Sequence, residues 1–297
     1  MPTLQRIISH PDVELFMKRD DLLDPTIPGN KLRKLKYNLE QARTEGKSTI
    51  LTFGGAFSNH ISAIASAGAR HGFATIGIIR GEELTQSYLQ NPTLSQAAEC
   101  GMQLEFINRA DYRNKSEKTF LGKLEQRFGD FYLLPEGGTN SLAVKGCEEI
   151  LSGDDFSFDY ICCAVGTGGT LAGIINSSET HHKIIGFSSL KGTFDISGIA
   201  KFVDKHNWKI ISDYHFGGYG KVTNELVDYI NCFYNKNKIP LDPVYTGKMM
   251  FGIEDLIRNG YFPKGSRILA IHTGGLQGIA GMNQKLKTKN LHIIEHG

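Results

Sequence analysis

Tyr160-Ile161-Cys162-Cys163-Ala164-Val165-Gly166-Thr167-Gly168-Gly169-Thr170-Leu171-Ala172-Gly173 opens on an apolar run and continues into a glycine-rich loop. Because Tyr160 to Val165 is apolar throughout, it predicts a strand covered on both faces, as in a parallel sheet. The glycines beyond it let backbone N–H groups converge. Thr167 and Thr170 add hydroxyl donors, and a helix starting there presents its positive end, so the loop suits a phosphate. A tight glycine turn without a ligand is the alternative that these residues leave open. The segment matches neither the dinucleotide fingerprint nor a P-loop, since the third glycine is misplaced and no Lys-Ser/Thr follows. Tyr160 to Ser178 carries no charge and is long enough to cross a bilayer. Its glycines, with Thr167, Thr170, Asn176 and Ser177, fit strand, loop and helix better than a lipid-facing span.

Outward from this stretch, strands and helices alternate with turn signals between them. Strands are predicted at 48–53, 74–80, 102–108, 131–134, 183–188 and 267–272. Helices are predicted at 59–71, near 93–100, 114–128, 193–206, 221–235 and 247–259, with another after Pro135. The class is α/β with open, mostly parallel sheets and flanking helices. The 297 residues exceed the usual size of one hydrophobic core, and no linker or repeat divides them, so two lobes would be intimately joined.

Composition excludes several partners. A formal charge of +2 gives no case for nucleic acid or an anionic membrane as partner. Five scattered cysteines make neither a disulfide framework nor a zinc site, and Cys162-Cys163 read as buried strand thiols in a reducing compartment. The first nineteen residues have no apolar targeting region, which makes the cytoplasm the expected location. Glycine alone is in excess, 34 residues or about 11% against a usual value of roughly 7%. Pairs fall at Gly54-Gly55, Gly168-Gly169 and Gly274-Gly275, at strand ends where open α/β sheets bind ligands. Gly137-Gly138 and Gly217-Gly218 add two more.

Two further segments could carry chemistry. Lys18-Arg19-Asp20-Asp21 precedes Gly29-Asn30-Lys31-Leu32-Arg33-Lys34-Leu35, where Leu32, Leu35 and Leu39 share a helical face. Lys31 then lies at the helix start, where the dipole disfavours an ammonium. It is a Schiff-base candidate or, with Lys34 and Lys36 nearby, a solvated lysine. Gly54-Gly55-Ala56-Phe57-Ser58-Asn59-His60 joins a strand to a helix, and Ser58 or Asn59 is either a functional group or an N-cap. No hydrolase nucleophile elbow is present.

In this order, the three segments resemble the pyridoxal-phosphate (PLP) enzymes of fold type II, the tryptophan-synthase-β type. More narrowly they resemble the 1-aminocyclopropane-1-carboxylate deaminase/D-cysteine desulfhydrase family, from Lys18 to about Gly281. The resemblance implies pyridoxal 5'-phosphate as cofactor and Lys31 as the Schiff-base lysine. It implies that Ser58 and Asn59 meet the substrate carboxylate and the cofactor's phenolic oxygen, and that Gly166, Thr167, Gly168, Gly169 and Thr170 cradle the phosphate. Tyr219 in Gly218-Tyr219-Gly220 and Tyr245 in Leu241-Asp242-Pro243-Val244-Tyr245-Thr246-Gly247-Lys248 would line the active site. His272-Thr273-Gly274-Gly275 would lie beside the pyridine ring. It further implies a larger PLP-binding domain of 1–45 and 136–297, a smaller inserted domain of 46–135, a small amino-acid substrate, a homodimer and no metal. The enzyme class implied is a lyase, with hydrolase as a second label.

Within that family the ring-opening deaminases carry Glu and Leu where this chain has Thr246 and Thr273, whereas desulfhydrases carry threonine at both. A carboxylate at the pyridine nitrogen keeps it protonated and makes a strong electron sink. Threonine only hydrogen-bonds a largely neutral nitrogen, which suffices to expel a thiolate from Cβ. D-Cysteine is therefore the expected substrate, ahead of the cyclopropane substrate or another small amino acid open to elimination or racemisation. A PLP-binding protein without turnover or a nucleotide-binding regulatory module is the alternative outside enzymes. One departure is Phe57, where the family commonly has glutamine; a phenyl ring there is expected to narrow or dry the pocket.

Overall fold

The computed structural model describes residues 3–7 and 11–296. Among the described residues there are ten strands: β1 (Thr3–Ile7), β2 (Glu14–Arg19), β3 (Thr49–Gly54), β4 (Ala74–Arg80), β5 (Gln103–Ile107), β6 (Tyr132–Leu134), β7 (Tyr160–Val165), β8 (Lys183–Ser188), β9 (Trp208–Ile211) and β10 (Arg267–Ile271). The helices are α1 (Asn30–Thr44), α2 (Asn59–His71), α3 (Pro92–Glu99), α4 (Arg109–Arg113), α5 (Lys118–Phe128), α6 (Ser141–Glu148), α7 (Gly169–Ser177), α8 (Ser197–Ala200), α9 (Asn224–Asn237), α10 (Thr246–Arg258) and α11 (Gly278–Lys287).

They form two sheets. One has six strands in the order β1-β2-β10-β7-β8-β9, parallel except for β1 against β2; the other has four parallel strands in the order β5-β4-β3-β6. The apolar run of β7 is buried at all six positions because it sits between β10 and β8 with a core on each face. Cys162 and Ala164 enter the core under α9 and α10, while Ile161, Cys163 and Val165 enter the one under α6 and α7. Burial pushes the Cys162 and Cys163 thiols up, as expected of inert strand cysteines. No helix among the described residues is long and apolar enough to cross a membrane.

Helix α1 sets the later chemistry in place. Leu35, Leu39 and Ala42 pack into the smaller sheet's core with Ile50, Ile61 and Ile64. Arg33 leaves the other side and pairs with Asp20 at 2.6 Å; the neighbouring Arg19 pairs with Asp21 at 2.7 Å and Lys18 pairs with Asp155. The Lys-Arg-Asp-Asp run thus ties the end of β2 to α1 and to the 3-10 turn after α6. We propose the division at residues 46 and 135 as marking where the chain enters and leaves the smaller sheet, with α1 as the helix that joins its core to the larger part.

The helix expected at 193–206 is reduced to the single turn α8. Carbonyls that a longer helix would use internally are taken by side chains instead: Asn176 Nδ2 donates to Phe202 O at 3.2 Å and Trp208 Nε1 to Lys205 O at 2.8 Å. Asn114, expected to open the next charged helix, ends the short α4, and α5 begins at Lys118.

Candidate active site

The C-terminal ends of β2, β3, β7 and β10 converge on a cleft lined by Lys31, Asn59, Thr273, Gly275 and Gln277. This is where an open parallel sheet presents its loops to a ligand. The tightest approach is between the Gly29-Asn30-Lys31 turn and the loop after β10. Asn30 N donates to Thr273 O at 3.3 Å, and a Cβ on Gly29, whose φ is +65°, would lie 2.1 Å from that oxygen. Gly29→Ala is expected to destabilise the protein by about 2 kcal/mol or more, from backbone strain and the clash together. A melting curve would show this as a fall of about 4 °C or more.

Lys31 is half-buried, and its Nζ donates to Asn30 Oδ1 at 3.0 Å. The same Asn30 donates from Nδ2 to Thr170 Oγ1 at 2.7 Å, so one amide joins the lysine to the glycine loop. Burial, followed by repulsion from Lys34, pushes the Lys31 amine down to about 7. Burial and the Lys34 charge thus act in the same direction as the helix dipole expected from the sequence. The neutral amine is the nucleophile toward a carbonyl. The rate at which apoprotein captures PLP should accordingly rise with pH through about 7 and level off above it. Stopped-flow absorbance from pH 6 to 9 would check this, and a rate that falls across the range would contradict it.

In the glycine loop Thr167 is exposed, while Gly168, Gly169 and Thr170 are buried. Gly168 has φ +85°, and a Cβ on Gly169 would stand 2.7 Å from Thr139 Cγ2. Thr167 Oγ1 is 2.6 Å from Thr139 Oγ1, which accepts from Lys34 Nζ at 3.0 Å; Lys34 also donates to Gly137 O at 3.0 Å. Lys34 is only 3% exposed, its hydrogen-bond acceptors are uncharged, and burial lowers its pKa. It escaped sequence reading, although its position one turn after Lys31 on α1 was a usable signal.

Gly137-Gly138 also gains an account. A side chain on Gly137 would strike Thr167, and one on Gly138 would strike His60, both within 3.0 Å. Thr52 Oγ1 lies 2.9 Å from Leu134 O and 2.8 Å from His60 Nε2, which ties the ring to β3 and the end of β6. Burial holds the His60 ring's pKa well below its usual value.

Ser58 is the N-cap of α2, its Oγ accepting from Ile61 N at 3.3 Å. That uses a lone pair and leaves the hydroxyl proton available, so the capping and functional readings are compatible. Asn59 Oδ1 accepts from Gln277 Nε2 at 2.7 Å, while its own Nδ2 is left unspent and Gln277 Oε1 is a buried acceptor without a partner. Tyr245 hydrogen-bonds Tyr219, their ring centroids 6.1 Å apart, and its hydroxyl lies 3.1 Å from where a Gly166 Cβ would be. Burial pushes the Tyr245 phenol well above its usual range; Tyr219 moves the same way at the rim, 48% exposed.

Thr246 is fully buried and donates its hydroxyl proton to Asp242 Oδ1 at 2.7 Å. Asp242 also accepts from the backbone N–H groups of Val244, Tyr245 and Thr246, capping α10. It was quoted in the sequence but given no role, though an Asp-Pro just before a helix is a turn and cap signal. Phe57 differs from expectation. Its ring is exposed and packs on Gly281 of α11, near Pro92 at the start of α3, outside the residues that line the cleft.

Bare glycines at a helix N-terminus, two threonine hydroxyls, a buried lysine without a counter-charge and a second amine of lowered pKa form a donor set that fits PLP. A family model described as pyridoxal-phosphate dependent enzyme matches residues 2–274. A Thermotoga maritima protein described as a putative 1-aminocyclopropane-1-carboxylate deaminase is 32% identical, over 95% of each chain. The mitochondrial bifunctional D-cysteine desulfhydrase/1-aminocyclopropane-1-carboxylate deaminase of Arabidopsis thaliana is 30% identical, over 90% of this chain and 73% of its own. The crystal structure of an ACC deaminase homologue superposes with a TM-score of 0.77 at 28% identity, covering 97% of this chain and 93% of that one. These relatives support the lyase label and not the hydrolase one. With this donor set and these matches, the chain belongs to the pyridoxal-phosphate dependent enzymes and, among them, to the 1-aminocyclopropane-1-carboxylate deaminase/D-cysteine desulfhydrase family.

Proposed function

We propose that this lyase α,β-eliminates a small amino acid with a leaving group on Cβ, D-cysteine foremost, consuming water and releasing pyruvate, ammonia and hydrogen sulfide. The observation that carries it is the Lys31 amine, lowered to about 7 and one amide away from the phosphate loop. Bound PLP supplies an electron sink for the Cα–H bonding pair. Lys31 holds the cofactor covalently and, as the free amine, takes the α-proton; a pKa near the working pH suits a base. Gly166 to Thr170 and Lys34 would hold the phosphate, and the free Nδ2 of Asn59 would donate to the phenolic oxygen. The Ser58 hydroxyl would donate to the substrate carboxylate, and Thr273 would lie beside the ring. Tyr245, kept neutral by burial, and Tyr219 keep a proton available for the leaving group.

The substrate choice is supported by the surroundings of Thr246. Asp242 is the nearby buried carboxylate, yet four donors from α10 and its approach fill its acceptor positions. That leaves no carboxylate lone pair for a pyridinium, which fits the weaker sink that thiolate elimination tolerates. The protein works as a homodimer in this reading. Side-by-side assays on cofactor-loaded protein test it: sulfide release from D-cysteine should exceed that from L-cysteine, with no 2-oxobutanoate from 1-aminocyclopropane-1-carboxylate. Production of 2-oxobutanoate as the dominant activity would overturn the substrate choice.

A further inference from the structure

Arg80 ends β4, at the strand edge that faces the Gly54-Gly55-Ala56-Phe57-Ser58 loop. Its guanidinium stacks over the Tyr112 ring at 5.6 Å, and Nη2 lies 3.5 Å from where a Gly55 Cβ would be. Gly55 belongs to the turn that carries Ser58, since Gly55 O accepts from Ser58 N at 3.1 Å. The exposed arginine thus lies over a buried ring and beside a bare glycine whose turn carries the group assigned to the substrate carboxylate.

Among the described residues, no carboxylate lies within ion-pair distance of Arg80, and its N–H donors have no hydrogen-bond acceptor. The neighbouring charges do not neutralise it. Tyr112 donates to Glu136 Oε1 at 2.9 Å, and Lys115 Nζ, also over the Tyr112 ring, pairs with Glu136 Oε2 at 3.3 Å. Glu83, just beyond the strand, is taken by Arg109. Arg80, Lys115 and Glu136 together leave one positive charge beside the Gly55 turn. A planar fork of unspent donors lying over an aromatic ring is suited to an anion with two equivalent oxygens.

We infer that Arg80 extends the substrate range beyond D-cysteine to amino acids whose Cβ substituent ends in a second anionic group, such as a carboxylate or phosphate, with the α-carboxylate going to Ser58. This deepens the lyase reading above and rests on it for the orientation of the substrate. The leaving group then departs as an anionic thiol or alcohol. For S-carboxymethylcysteine, the Cβ–S bond breaks, and with one water the products are pyruvate, ammonia and thioglycolate.

The test compares S-carboxymethylcysteine with the isosteric neutral S-carbamoylmethylcysteine, each as separate enantiomers, on PLP-loaded protein. Binding is read from the change in cofactor absorbance and turnover from pyruvate. The carboxymethyl compound should bind about tenfold more tightly, as expected for charge-assisted hydrogen bonds. Arg80→Gln should bring the two to parity, and Arg80→Lys, which keeps the charge and loses the fork, should restore part of the preference. No preference in the unaltered protein, an undiminished one in Arg80→Gln, or no absorbance change with either compound would overturn the inference. A binding preference without pyruvate would leave Arg80 standing and remove the elimination reading.

Discussion

Lys31→Ala is expected to lose at least about a thousandfold in turnover, since it removes both the covalent anchor and the base, and a general base alone contributes about 10² to 10⁴. The purified variant should also lack the visible absorbance of a lysine-linked cofactor. The effect should be chemical rather than structural. Lys31 is half-buried, makes a single side-chain hydrogen bond to its neighbour Asn30, and belongs to none of the apolar cores. Circular dichroism and melting temperature should therefore stay close to those of the unaltered protein. A variant that keeps full activity would remove Lys31 from the chemistry.

Lys34→Met should move stability and cofactor affinity in opposite directions. In the apoprotein the Lys34 ammonium is buried against a carbonyl and a hydroxyl, with no carboxylate to balance it. Replacing such a group with an apolar chain of similar volume is expected to raise apoprotein stability by about 1 kcal/mol or more. PLP affinity should fall by about thirtyfold or more, the value of charge-assisted hydrogen bonds to a phosphate. Denaturant melts of apoprotein and a PLP titration separate the two. Loss of apoprotein stability with unchanged affinity would assign Lys34 a purely architectural role.

The stability of the apoprotein should also depend on pH, with a definite sign. Lys31 and Lys34 both have lowered folded-state pKa values, so between about 7 and 10.5 the unfolded chain binds more protons than the folded one. Stability contributed by these two groups rises with pH over that window. Cys162 and Cys163, pushed up by burial, act oppositely once unfolded thiols ionise near 9. The rise should therefore be clearest between pH 7 and 8.5, in a thermal melt of the apoprotein.

Much of the architecture was legible because its signals are local. The all-apolar β7 and the glycine pairs at strand ends mark parallel strands whose C-terminal ends meet a ligand. What stayed hidden depends on distant partners. β1, β2 and β9 were missed: β1 is a largely exposed edge strand, β9 an edge strand of mostly intermediate burial, and β2 is defined by pairing with β10 from the far end of the chain. The helix expected at 193–206 yielded to side chains of Asn176 and Trp208 that take its carbonyls. At the site, local residue patterns raised Lys31, Ser58 and the phosphate loop as candidates, and the resemblance chose between the alternatives they left open. Lys34, Asp242 and Arg80 required coordinates, because burial, occupied lone pairs and unspent donors are properties of the folded arrangement. The Phe57 ring could not be oriented from sequence, since Gly281, the residue it packs on, is more than two hundred positions away.

The central claim is that Lys31, and not its buried neighbour Lys34, is the residue that takes the cofactor. Reduction of the PLP-loaded protein with borohydride followed by peptide mass mapping addresses it directly. Absorbance near about 410–430 nm should disappear on reduction, with the phosphopyridoxyl mass increment confined to Lys31. A colourless protein that takes up no PLP, or an increment on Lys34 with Lys31 unmodified, would contradict the account.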